Sequence, residues 1–71
     1  MIIPKQLLDK WKALRSEDDA NKITTKAIES GFSTTPETVR AAFRNGKTKD
    51  EVFKAMAEFY TEKANMIKEY I

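Results

Sequence analysis

The sequence predicts an all-α fold, a small domain of four helices. Three observations predict it. Apolar residues recur at i, i+3 and i+4 in four separate stretches, the period of one buried helix face. Proline and glycine fall only at the ends of those stretches, as Pro4, Gly31, Pro36 and Gly46. No strand is needed to account for any segment. The 71 residues suit a single domain spanning 1–71, with a small core and modest stability.

Helix one is predicted over about 4–15. Pro4 suits a first turn, where its missing donor costs nothing. Leu7, Leu8, Trp11 and Leu14 then form its apolar face, with Lys5, Gln6, Asp9, Lys10 and Lys12 opposite. Ser16-Glu17-Asp18-Asp19 reads as a capping box opening helix two, over about 19–30. Ile23, Ala27 and Ile28 form its stripe, and Gly31 ends it. Thr24 and Thr25 are β-branched, so packing must hold this helix together. Phe32 is expected to plug the core beside the turn.

Helix three is predicted over about 36–44. Thr35 caps it, Pro36 takes its first position, and Asn45-Gly46 stops it. Val39, Ala42 and Phe43 face inward, while Glu37, Arg40 and Arg44 fall on the other side. Thr48 and Glu51 read as a second capping box for helix four, over about 49–70. Val52, Phe53, Met56, Phe59, Tyr60, Ala64, Ile67 and Tyr70 form its apolar side, with Met66 and Ile71 as outliers.

Composition narrows the chemistry. Neither cysteine nor histidine is present. That removes disulfides, thiolate metal sites, the usual neutral-pH base and the commonest neutral metal ligand. Asp18-Asp19 and Asp50-Glu51 read as helix starts, where acids are stabilised, rather than as metal sites. No catalytic residue, metal or cofactor is expected, and the chain is not expected to be an enzyme. No apolar run nears the ~20 residues of a membrane span, and no secretory apolar region follows Met1. A complete cytoplasmic, nucleoid-associated product is the expectation.

Charge is polarised along the chain. Residues 32–49 hold Arg40, Arg44, Lys47 and Lys49 against Glu37 alone, whereas residues 50–71 hold three bases and five acids. A positive block in the middle points to an anionic partner. Two short helices meeting at a glycine-containing turn also form the outline of a helix-turn-helix, whose second helix enters the DNA major groove. Its outward residues Thr34, Thr35, Glu37, Thr38, Arg40 and Arg44 are the candidate base contacts. Lys22, Lys26, Lys47, Thr48 and Lys49 are the candidate phosphate contacts.

Gly31-Phe32-Ser33, Glu37-Thr38-Val39-Arg40 and Phe43-Arg44-Asn45-Gly46-Lys47 carry a resemblance. Together they resemble the helix-turn-helix of the phage repressor and Cro family over roughly residues 16–56. Ala27 matches that family's small residue four before the glycine, and Val39 its buried aliphatic. The segment from Gly31 to Val39 is about two residues longer than the family's turn. Lys26 and Ser30 stand where that pattern usually has apolar side chains. The resemblance implies operator DNA binding, usually by paired domains, in a repressor or other transcriptional regulator.

Pairing is expected at the distal part of helix four. Tyr60, Met66, Ile67, Tyr70 and Ile71 are the candidate dimer interface, since the short helices offer little to cover them. The opposing reading folds this end onto helix one and buries Ile2, Ile3 and Leu7. Two other functional readings stand beside sequence-specific double-stranded DNA binding. One is a small helical protein-interaction module, adaptor or antirepressor-like. The other is a nonspecific architectural DNA binder.

Overall fold

The computed structural model describes residues 1–69. Four helices follow in order: α1 Lys5–Leu14, α2 Asp19–Glu29, α3 Pro36–Asn45 and α4 Asp50–Glu69. Every boundary that falls inside the described residues lies within one residue of the span its caps and periodicity predict. The described residues form no β-strand. They do contain one isolated antiparallel bridge, Ile2 to Lys47. Around it, the Ile3 amide donates to Gly46 O at 2.8 Å and the Thr48 amide to Met1 O at 2.9 Å. The amino-terminal segment is thereby stitched to the link between α3 and α4. The stitch buries Ile3 and leaves Ile2 78% exposed.

α2 packs against both α4 and α3, α1 packs against α4, and the core forms where these apolar faces meet. Leu8 and Trp11 of α1, Ile23 and Ala27 of α2, and Val39 and Phe43 of α3 converge on Val52, Met56 and Tyr60 of α4. Aromatic rings fill its centre. Trp11 stacks on Tyr60 with centroids 5.6 Å apart, and Phe43 meets Tyr60 edge-on at 6.0 Å. Offset and edge-to-face pairs are the favoured aromatic geometries. Ile28, read as part of the α2 stripe, points outward at 53% exposure.

Tyr60 corrects a second expectation. It is 1% exposed, so it belongs to this core and not to a dimer interface. The reason is the position of α1, whose Trp11 covers α4 at that level. Farther along, Met66 and Ile67 are 61% and 40% exposed. Tyr70 and Ile71 lie outside the described residues.

Beneath Tyr60 sits a buried carboxylate. Asp19 Oδ2 accepts from Tyr60 Oη at 3.0 Å, Lys63 Nζ at 2.8 Å and the Ser16 amide at 2.9 Å. The last bond is the backward half of the predicted capping box. Its forward half is absent: the Asp19 amide donates to Ser16 O at 3.2 Å, and the Ser16 hydroxyl accepts from Lys63 Nζ at 2.7 Å. Burial by itself raises the Asp19 pKa, yet these hydrogen bonds and the Lys63 charge hold it below its ordinary value. Burial and the neighbouring carboxylate push the Tyr60 phenol well above its own. The network clamps the start of α2 to α4. The second predicted box does not form as expected: α4 starts at Asp50, one residue late, and the Thr48 backbone is tied to Met1.

Candidate nucleic-acid interface

The turn into α3 is built by backbone chemistry. At the end of α2, the Phe32 amide donates to Ala27 O at 3.0 Å and the Gly31 amide to Ile28 O at 2.9 Å. Those two bonds make a Schellman motif, which requires a left-handed residue after the cap. Gly31 supplies it with φ 91°. A side chain at Gly31 would meet no atom within 4 Å, so only the backbone forbids one. Gly31→Ala is therefore expected to cost about 1–2 kcal/mol, or roughly 4–8 °C of melting temperature per kcal/mol in a domain this size. A melt superimposable on wild type would show that the turn relaxes freely.

Thr35 then caps α3 as expected. Its hydroxyl accepts from the Thr38 amide at 3.3 Å and lies 3.1 Å from the Thr38 hydroxyl. Both threonines are thus engaged with each other, which leaves them short-reaching. Thr34 is half-buried in the preceding link. Gly46, with φ 70°, closes the other end of α3 and donates to Ala42 O at 2.9 Å.

The outward side of α3 carries three charges in one row. Glu37 lies 3.7 Å from Arg40 and 3.1 Å from Arg44 through its two oxygens. All three side chains are exposed, the arginines at 44% and 63%. Exposed pairs of this kind contribute roughly 0–1 kcal/mol. A guanine edge or a phosphate can therefore replace Glu37 as the arginines' partner at little cost. The row keeps a net charge of +1.

Basic groups stand on both sides of this row. On one side Lys47, Thr48 and Lys49 share a shallow depression with Thr38, Ala41 and Met1. Lys47 and Lys49 are exposed, with Lys49 Nζ 5.9 Å from the Phe32 ring. The Thr48 amide is committed to Met1 O, so only its hydroxyl remains for a phosphate. On the other side, Lys12, Arg15, Ser16 and Glu17 share a depression with Arg40. Sequence reading passed over Lys12 and Arg15. The available signal was their i, i+3 spacing at the end of α1, where cations are favoured.

Two predicted phosphate contacts sit elsewhere. Lys26 lies between Glu58 at 3.8 Å and Glu62 at 3.4 Å, bridging α2 to α4. Its charge is spent within the fold, because the acidic face of α4 packs beside it. Lys22 is exposed but lines a hollow with Phe59, Lys63 and Met66, on the α2–α4 side. Neither shares the depressions that flank α3. Among the described residues no group of three histidine, cysteine or acidic side chains could hold a metal ion. No described helix is long and apolar enough to cross a membrane. Comparisons with protein-family models, curated proteins and solved structures found no match.

Proposed function

We propose that this protein binds double-stranded DNA sequence-specifically, as a transcriptional regulator of the repressor type, with α3 in the major groove. One observation carries the reading. The Arg40–Arg44 side of α3 is solvent-exposed, and Lys47 and Lys49 stand beside its end. A major groove admits one α-helix, and arginine forks onto guanine O6 and N7. Arg40 and Arg44 read bases in this arrangement, with Glu37 as a secondary contact. Lys47 and Lys49 hold the backbone.

Selection from random duplexes at a stated salt concentration tests the reading. Enrichment of a defined site supports it. Retention without enrichment would indicate nonspecific, architectural binding, and no retention would remove DNA as the partner. Lys47→Ala is expected to weaken binding equally on all sequences and to flatten the salt slope by about 0.9. A titration series at several salt concentrations checks this.

Exposed Met66 and Ile67 on distal α4 favour a second surface. A second copy docked there would set two α3 helices on one duplex, with half-sites about 34 Å apart. The same residues would serve the rival protein-interaction reading, in which a different helical partner covers them. Light scattering of the free protein and of its DNA complex distinguishes a pair from a monomer.

A further inference from the structure

We infer that the depression between α1 and α3 is a second seat for the duplex phosphodiester backbone, with Lys12 and Arg15 as its binding groups. The inference rests on the DNA reading of α3 and adds a contact that reading does not contain. Lys12, Arg15 and Arg40 line the depression together with Ser16, and Glu17 is the one acid in its lining. Lys12 and Arg15 against Glu17 leave the hollow net positive even with Arg40 paired to Glu37. Lys12 and Arg15 have no carboxylate within 4 Å among the described residues, whereas Arg40 is paired with Glu37.

Arg15 is held in place for this task. Its guanidinium carbon lies 4.3 Å from the centroid of the Phe43 ring. Phe43 is 2% exposed and belongs to the core. A guanidinium held over a ring face in this way still has N–H groups that can donate to a phosphate. Less side-chain freedom is then lost when a phosphate binds. Phe43 is also a residue of α3. Arg15 is therefore registered to the helix that would read the bases, although it comes from the end of α1.

Geometry gives the seat its meaning. A helix in the major groove has a phosphate backbone on either side. Lys47 and Lys49 stand on one side of the α3 row, and Lys12 and Arg15 on the other. Both strands are then gripped, and α3 is centred between them. A contact to one strand alone would let the helix roll within the groove.

A mixed-sequence DNA duplex suffices as probe, because backbone contacts do not depend on sequence. Affinity is measured over a range of salt for wild type, Lys12→Gln, Arg15→Gln and Lys47→Ala. Each lost phosphate contact is expected to flatten the log–log salt slope by about 0.9, which is about eightfold in affinity at 0.1 M salt. Lys12 is exposed and off the core, so Lys12→Gln decides the matter even where Arg15→Gln fails to fold, as thermal melting reports. Flattened slopes for Lys12→Gln and Lys47→Ala support the seat. Flattening for Lys47→Ala alone overturns it while leaving the α3 docking intact. A wild-type chain that holds no duplex at low salt overturns both.

Discussion

Asp19→Ala is expected to lower the unfolding free energy by about 3 kcal/mol, near the lower end found when one partner of a buried ion pair is removed. Asp19 accepts three hydrogen bonds and is 1% exposed. Its removal strands the Tyr60 hydroxyl in the core and leaves Lys63 without its carboxylate. Lys63 keeps 21% of its side chain in solvent, which places the cost at the low end. A domain of this length has roughly 4–10 kcal/mol in total, so much of its stability is lost. Urea unfolding measures it. Adding Lys63→Met to Asp19→Ala is expected to recover part of the loss, since the uncompensated cation is gone. An Asp19→Ala protein as stable as wild type would mean that the clamp between α2 and α4 contributes nothing.

Acid provides an independent reading of the same group. The folded pKa of Asp19 lies below its ordinary 3.8. A depressed carboxylate stabilises the fold fully above the unfolded value, and the stabilisation is lost as pH falls through the folded one. The urea midpoint of wild type should therefore hold from about pH 7 to pH 5 and drop below about pH 4. In Asp19→Asn this acid component should shrink, because the residue no longer titrates. An unchanged acid profile would assign the drop to other carboxylates.

Arg40→Ala is the second large effect expected, on DNA affinity rather than on stability. Arg40 is exposed and contributes nothing to the core, and its pair with Glu37 is open to solvent. Loss of a forked contact to guanine costs about 1–3 kcal/mol, or roughly 5–150-fold in Kd, and relaxes preference at one base pair. The measurement is Kd on a selected site and on its single-base variants at one salt concentration. Equal weakening on every sequence would make Arg40 a backbone contact. Unchanged affinity would remove the outer row of α3 from the interface.

Much of this architecture is legible in the sequence because its boundaries are chemical. Thr35-Pro36 can start a helix and hardly continue one, and Gly31 and Gly46 take backbone conformations that other residues resist. Periodicity likewise identified Val39, Phe43, Val52 and Met56 as core. It could not tell where cover along α4 ends, since every apolar residue of a long helix falls on a similar stripe. Tyr60 therefore read as interface although α1 buries it. Local motifs also hide distant ones. Asp19 satisfied a capping pattern, and its bonds to Tyr60 and Lys63 lie 41 and 44 residues away in sequence.

The outer row of α3 was legible as residues but not as a charge network. Sequence spacing presents Glu37, Arg40 and Arg44 as separate base contacts, whereas one carboxylate engages both arginines. Lys26 was lost to the site for a similar reason, since Glu58 and Glu62 come from another helix. The amino-terminal stitch had no signal at all, because a single bridge has no period.

Amide chemical shifts of the intact chain, followed while a selected or mixed duplex is titrated in, show whether α3 meets DNA. Docking through α3 should give the largest changes at residues 37–44, with smaller ones at Lys47 and Lys49 and at Lys12 and Arg15. Changes confined to distal α4 around Met66 and Ile67, with α3 undisturbed, would contradict it.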